Sequence, residues 1–366
     1  MRAGKPNAPE LNFSMFIVGL GAAVPETCYR QVDCWEAIQK CPQFSQFTGR
    51  SRAILKKVLL GDNGIATRHL ALDPLTDAFQ LTPDALHARF VRHAPDLATR
   101  AAIAALANAR LTPRDIDALV ISTCTGYLCP GLTSYVAERL GLRPNALMLD
   151  LVGQGCGAAI PNLRAAESLI AAERSKNVLS ICVEVCSAAF YLDDDPGVLV
   201  SACLFSDGAA AAVLSPEPAA TGRSVRWQTS SSSFSAADRD LLRFEQRGGM
   251  LRNVLSLAVP KLAAAHAENV LDQTLNASGV SRAEIKTWIL HAGGRDVLAS
   301  LKTRLGLTAD DVRFSAGILE HYGNLSSPFV YFVLKQALRE NAPGGLWWMA
   351  TFGAGFSSHG AILEVT

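Results

Sequence analysis

Cys156 lies in the run LDLVGQGCGAAIPNLRAAESL (149–169), which reads as strand, glycine-flanked turn, cysteine and helix. Glycines at 153, 155 and 157 permit positive φ and close backbone approach. A thiol at a helix N-terminus meets the positive end of the dipole, which favours thiolate. The backbone N–H groups there can also hold an oxyanion. A lone cysteine is by default a buried structural residue; the glycine frame turns this one toward a nucleophile. Pro161 falls early in the same helix, where a removed hydrogen bond would bend the axis. His291 ends an apolar strand in WILHAGGRDVL (288–298), before two glycines and a helix, at a place open to a ligand. Asn324, in EHYGNLSSPFV (320–330), falls at a helix entrance. Capping the backbone and lending an amide donor use different atoms of an asparagine, so both roles fit it.

The elements that must position these residues come in two copies. LTPRDIDALVIS (111–122) matches VSRAEIKTWILH (280–291): an apolar residue, a hydroxyl residue, an acid followed by isoleucine, then a buried strand. A helical segment precedes each copy. Downstream, Gly155-Cys156 falls opposite Gly323-Asn324, each opening a segment of helical character (157–173 and 325–340). Each helix leads into an apolar strand, NVLSICVE (177–184) and GLWWMATF (345–352). A repeat this long implies duplicated α/β halves, here 1–220 with the cysteine and 221–366 with the histidine and asparagine. Strands alternating with helices imply layered sheets and helices with ligands at strand ends. Pseudo-twofold packing would bring Cys156, His291 and Asn324 to one site.

Bulk properties exclude several classes. The 366 residues carry a formal net charge of +1 with 49% hydrophobic and 18% charged residues, enough for a large core and no broad nucleic-acid face. Nine cysteines without a CxxC pair read as free thiols in a reducing, cytoplasmic setting, and no zinc site is implied. Arg2 and Lys5 precede the apolar run 15–24, a signal-peptide pattern, but Pro6, Pro9 and Glu10 interrupt it. The run reads better as a buried first strand stopped by Pro25. No apolar stretch reaches membrane-spanning length. Cys, His, Asn in chain order also fits papain-like proteases. That reading is rejected because the cysteine is mid-chain with no tryptophan nearby.

Together GQGCGAA, HAGG, YGNLSSP, LFSDGAA (204–210) and TFGAGF (351–356) resemble the type III polyketide synthases, the chalcone-synthase-like branch of the thiolase superfamily. The resemblance runs from about residue 14 to the end and is nearest to bacterial alkylresorcinol and alkylpyrone synthases. It implies a thiolase-like α/β fold in αβαβα layers and a cytoplasmic homodimer. Acyl-CoA and malonyl-CoA are then the substrates, with no cofactor or metal. In that mechanism Cys156 takes an acyl primer as a thioester. His291 and Asn324 stabilise the malonyl-derived enolate, and the extended chain closes to a resorcinol or pyrone.

Further roles follow from the resemblance. Phe205 would separate the CoA tunnel from the cavity, with Gly293 and Gly294 bordering the tunnel. Lys56 and Lys57, with Arg50 and Arg52, would meet CoA phosphates, a solvated helix face being the alternative. Asn63 replaces a lysine of the plant pattern. Glu184 and Ser326 match positions that control cyclisation; Cys124 replaces a threonine in that network. Cys129 falls where one subunit lines the other's cavity. Asn253 replaces a gatekeeper phenylalanine, implying a cavity not shaped for a cinnamoyl primer and a preference for fatty acyl groups. Two rivals stand beside this reading. One is a β-ketoacyl-acyl-carrier-protein synthase III, which condenses once; the other is a non-catalytic binding protein on the same fold.

Overall fold

The computed structural model describes residues 14–366, so Arg2, Lys5, Pro6, Pro9 and Glu10 lie outside the described residues. The apolar run at the start forms the strand Met15–Ala23, buried along most of its length. It sits at the middle of a nine-stranded sheet. The order is Ile285–Leu290, Gly345–Gly353, Ser357–Val365, Val225–Phe234, Met15–Ala23, Gly208–Ser215, Val178–Glu184, Ala118–Thr123, Leu147–Val152.

The sheet is two half-sheets of like design. In the first half Ala118–Thr123 runs parallel to Val178–Glu184, which runs antiparallel to Gly208–Ser215 and then Met15–Ala23. In the second, Ile285–Leu290 is parallel to Gly345–Gly353, followed by two antiparallel pairings through Ser357–Val365 to Val225–Phe234. Among the described residues the two half-sheets pair at Met15↔Trp227 and Phe16↔Arg226. The duplicated segments agree in detail. Each opens on a short 3-10 turn closed by a reciprocal cap: Thr112 N–H donates to Asp115 at 2.7 Å, and Ser281 N–H to Glu284 at 2.7 Å.

Five layers result. The helix Pro83–Ala109 covers the outer face of the first half-sheet, and Val259–Ser278 that of the second. Between the halves lie Ala159–Ala171 and Phe329–Arg339, each touching strands of both. These two inner helices are apolar on the faces they bury, including Ile160, Leu163, Phe329, Val333 and Leu334. A buried polar network ties them in place. Asn162 Nδ2 donates to Ser122 Oγ and Ile181 O, both at 3.0 Å. Ser180 Oγ donates to Asn162 Oδ1 at 2.8 Å and lies 2.8 Å from the Tyr331 hydroxyl.

The outer helix Pro83–Ala109 starts at Thr82, whose hydroxyl accepts from Ala85 N–H at 3.2 Å, with Pro83 in the first turn. Its buried stripe includes Ala94, Ala98, Ala101, Ala102 and Ala105, and the strand beneath offers Gly21. A Cβ at Gly21 would lie 2.0 Å from Ala101 O and 2.4 Å from Ala105 N, so helix and strand backbones are in direct contact there. We expect Gly21→Ala to lower stability by about 1–3 kcal/mol through overpacking. An unchanged urea midpoint would show that helix and strand do not touch.

Candidate active site

Cys156 lies in a 3-10 turn, Gly155–Gly157, and the α-helix begins at Ala159. The cysteine is therefore not the first residue of the α-helix, contrary to the sequence expectation. Pro161 falls in the first turn, where the N–H has no intrahelical partner, so it bends nothing. The turn is held from the second half. Thr351 Oγ1 donates to Gly157 O at 2.9 Å, and a Cβ at Gly353 would lie 2.5 Å from both Gln154 O and Gly157 N.

The thiol is half-buried and lines a partly open cavity. Its hydrogen-bond partner is Ser326, whose hydroxyl donates to Cys156 Sγ at 3.2 Å. Burial pushes the thiol up to about 12 against the lowering effect of that bond. The expected thiolate is therefore not the resting form. Desolvation outweighs the dipole of a helix that starts later than expected.

Asn324 does not cap an α-helix either, since the helix starts at Phe329. Instead Asn324 Oδ1 accepts from Ser326 N–H at 2.9 Å, while Nδ2 donates to Gly293 O at 2.8 Å. One amide hydrogen is left over. The backbone of Asn324 pairs with the strip beside Phe205. Asn324 N–H donates to Leu204 O, and Ser206 N–H to Asn324 O, each at 2.9 Å. Gly323 makes this approach with φ 69°; a Cβ there would lie 2.5 Å from Ser206 Oγ. Ser326 itself has φ 59°, uncommon for a non-glycine residue.

His291 follows the strand Ile285–Leu290 directly, as its sequence position indicated. Its N–H donates to Ala350 O at 3.0 Å. The ring stands edge-on to Phe329 and Phe352, with centroids at 5.3 and 4.9 Å. Burial lowers the imidazole to about 3, so it is neutral at physiological pH. Nδ1 has no hydrogen-bond partner among the described residues. Thus Cys156, Ser326, Asn324 and Gly293 form a continuous hydrogen-bonded run, and Gly293 is two residues from His291.

Behind the cavity sits Glu184, fully buried, its carboxyl raised by desolvation. It accepts from Ser327 Oγ at 2.6 Å, Thr125 Oγ1 at 2.9 Å and Cys124 N–H at 3.0 Å. Cys124 Sγ lies 3.3 Å from Glu184 Oε1 and 3.9 Å from Ser326 Oγ, between the two. Cys124, Cys156, Phe205, Asn253 and Ser326 all line the cavity; His291, Asn324, Glu184, Gly293 and Gly294 lie outside its lining. Gly294 instead precedes the helix Arg295–Arg304. Cys129 is exposed and lines no part of its own chain's cavity. Lys56 and Lys57 are exposed on the helix Gly49–Leu60, as are Arg50 and Arg52. Asn63 serves the backbone, donating to Val58 O at 2.7 Å and accepting from Ile65 N–H at 2.8 Å.

Sequence reasoning missed most of the lining, including Cys186, Phe190, Tyr191 and Phe244. Phe244 matters most. It is the cross-strand partner of Asn253 in the hairpin Leu242–Arg247/Met250–Leu255. The phenylalanine wall lost at 253 thus has an aromatic counterpart directly opposite. Alternating residues in LRFEQRGGMLRNVL signal the hairpin, and its two-glycine turn fixes the register.

Comparison with known proteins follows this geometry. Residues 27–231 match the family described as FAE1/Type III polyketide synthase-like protein, and residues 243–362 that described as chalcone and stilbene synthases, C-terminal domain. A 3,5-dihydroxyphenylacetyl-CoA synthase of Amycolatopsis orientalis is 30% identical over 94% of this chain and 92% of its own. An alpha-pyrone synthesis polyketide synthase-like protein, Pks18, of Mycobacterium tuberculosis is 26% identical over 98% of this chain and 93% of its own. The crystal structure of PKS-I from the brown alga Ectocarpus siliculosus matches with a TM-score of 0.89 at 25% identity, over 98% of this chain and 100% of that one.

With its thiol pushed up to about 12, Cys156 should react faster with iodoacetamide as pH rises, without levelling off before pH 10. Peptide mass mapping of initial rates measures this directly. A plateau below pH 8 would mean that the resting residue is a thiolate.

Proposed function

The chain belongs to the type III polyketide synthase family, acyltransferases that condense acyl-CoA substrates, and on that premise we propose that Cys156 is its acylated nucleophile. The supporting observation is the hydrogen-bonded run from Cys156 through Ser326 and Asn324 to Gly293, beside His291. Cys156 attacks the thioester carbonyl of an acyl-CoA, its proton passing to the His291 imidazole and from there to the departing CoA sulfur, which leaves as the thiol. A buried neutral pair becomes charged only during this transfer. Malonyl-CoA then loses CO2. The resulting enolate oxygen is met by the free Asn324 N–H and by an imidazole N–H of His291. The enolate carbon attacks the acyl-Cys156 carbonyl, releasing the Cys156 sulfur and a β-ketoacyl-CoA two carbons longer. Transfer of that product back to Cys156 starts the next cycle.

The named relatives cover both ring types, a dihydroxyphenyl product and an α-pyrone. We assign this chain to resorcinol or pyrone closure in the same sense, with Glu184, Cys124 and Ser326 next to the reacting thioester. The extending, polyketide reading is preferred to a single condensation on a carrier protein because both matched families belong to the polyketide branch. Lys56 and Lys57, exposed beside Arg50 and Arg52, suit CoA phosphates. The primer we propose is aliphatic, since the cavity is walled mainly by thiols, aromatic rings and small apolar residues. No cofactor enters any step. Nine free thiols suit a reducing compartment such as the cytoplasm, and among the described residues no helix is long and apolar enough to cross a membrane.

A homodimer completes this reading. Leu147–Val152 is an edge strand, hydrogen-bonded on one side only, with Leu147 43% and Val152 55% exposed. Unpaired apolar edges are templates for a second strand. Nearby Tyr127 is 70% exposed, two residues from Cys129, which we place at the partner's cavity.

Intact-protein mass spectrometry after exposure to acyl-CoA should show an acyl adduct on wild type and none on Cys156→Ala, which still decarboxylates malonyl-CoA. Asn324→Ala should acylate normally and lose roughly 10²–10³-fold in decarboxylation. A normal adduct on Cys156→Ala removes Cys156 as the nucleophile. Wild-type decarboxylation by Asn324→Ala would reduce Asn324 to a turn former.

Sedimentation velocity tests the edge strand. Wild type should run as a dimer and the Leu147→Lys, Val152→Lys double variant as a folded monomer. A monomeric wild type ends the dimer proposal.

A further inference from the structure

The hairpin Leu242–Arg247/Met250–Leu255 forms a sheet of its own, and among the described residues no strand of the main sheet pairs with it. Its place is therefore set by other contacts. That place matters, because Phe244 and Asn253 wall the cavity at Cys156. Two further segments share this wall. The stretch 186–195 supplies Phe190 and Tyr191, and the helix Pro196–Leu204 supplies Val198 and Ala202.

One side chain meets all three segments. Arg252 is 9% exposed, and each of its guanidinium nitrogens faces a different carboxylate. Nε donates to Asp193 at 2.9 Å, Nη1 donates to Glu245 at 3.2 Å, and Nη2 lies 3.2 Å from Asp195. Glu245 is its cross-strand partner in the hairpin. Asp193 follows Tyr191 by two residues. Asp195 caps the helix, its other oxygen accepting from Gly197 N–H at 2.8 Å and Val198 N–H at 3.3 Å. Helix and hairpin also touch directly, since a Cβ at Gly197 would lie 2.3 Å from Leu255 O. Arg243 and Arg247 lie 2.9 and 3.8 Å from Glu245 and Asp193, each reaching one of the three carboxylates. The planar fork of arginine makes the three-way contact that a lysine point charge cannot.

Removing this cation does more than remove an attraction. Like charges held close in a partly dry setting repel, and truncating one member of a buried cluster leaves the others uncompensated. Asp193, Asp195 and Glu245 stand on separate segments, so their repulsion pushes the hairpin away from the loop and helix.

We propose that Arg252 is a positioning residue for the reaction, setting the gap between Phe244 and Asn253 on one side and Phe190 and Tyr191 on the other. Through that gap it fixes how many malonyl units are added before the chain closes. This rests on the reading of the protein as an extending enzyme acylated at Cys156.

The test uses the whole enzyme with octanoyl-CoA and malonyl-CoA. Products are resolved by carbon number in liquid chromatography–mass spectrometry, and the acyl adduct on Cys156 is measured in parallel. Arg252→Met should load Cys156 as wild type does. Its ratio of main product to longer products should fall roughly tenfold, the low end of what one misplaced group in a pocket costs in discrimination. Asp193→Asn with Glu245→Gln breaks pairs from the carboxylate side and should lower the ratio in the same direction, by less. All three substitutions together remove the repulsion with the attraction and should return the ratio to within about threefold of wild type. Variants that had merely lost stability would not restore one another. If Arg252→Met does not fold, the carboxylate pair and the combined variant carry the same comparison. A wild-type ratio in a folded one-sided variant, or a combined variant no better than the one-sided ones, overturns the proposal and leaves acylation of Cys156 intact. No acyl adduct, or no extended product, from wild type overturns it together with the reading beneath it.

Discussion

Two backbone hydrogen bonds between the strip 204–206 and Asn324 fix the relation on which the site depends. They join the first half of the chain to the second at the cavity rim. Because Gly323 lacks a Cβ, the strips close to hydrogen-bonding distance; any side chain there would meet Ser206 and Leu204 O. Asp207 anchors the first strip from the other side. Its buried carboxylate accepts from Ala71 N–H at 2.6 Å and from Ser187 N–H and Oγ at 2.8 and 2.6 Å. Arg68 holds the same strip through its carbonyls. Phe205 and the Asn324 amide are consequently positioned as one unit.

Burial governs the electrostatics of this unit. Raising a thiol from 9.0 to about 12 corresponds to roughly 4 kcal/mol against the charged form. A helix terminus supplies about 0.3–2 kcal/mol in the opposite sense. The larger effect wins, and the imidazole is neutral for the same reason. The site therefore relies on positioned donors and close contact rather than on a standing ion pair. Glu184 follows another course: the hydroxyls of Thr123, Thr125 and Ser327 and the N–H and thiol of Cys124 surround it, and these donors partly offset the desolvation that raises it.

Much of this was legible in the sequence because it is carried by local pattern. The matched hydroxyl and acid positions of the two copies, the strand end before His291 and the two helices 157–173 and 325–340 all follow from spacing and residue type. The repeat predicted that Cys156, His291 and Asn324 meet; the structure links Cys156 to Asn324 through Ser326 and on to Gly293, two residues from His291. What escaped was set by partners distant in sequence. Nothing near Cys156 indicates that its hydrogen bond comes from Ser326, or that its helix starts three residues later. Asn324 reads as a helix cap because Asn caps helices; only the approach of Leu204 and Gly293 gives its backbone and amide other partners. Asn253 read alone suggested an open wall, whereas the hairpin register sets Phe244 across from it.

The neutral state of Cys156 also bears on how the protein survives between turnovers. Peroxide attacks thiolates far faster than thiols, and oxidation beyond the sulfenic acid is seldom reversed. A half-buried thiol held neutral beside a hydroxyl is shielded from that chemistry. The surroundings that delay its ionisation also slow its oxidation.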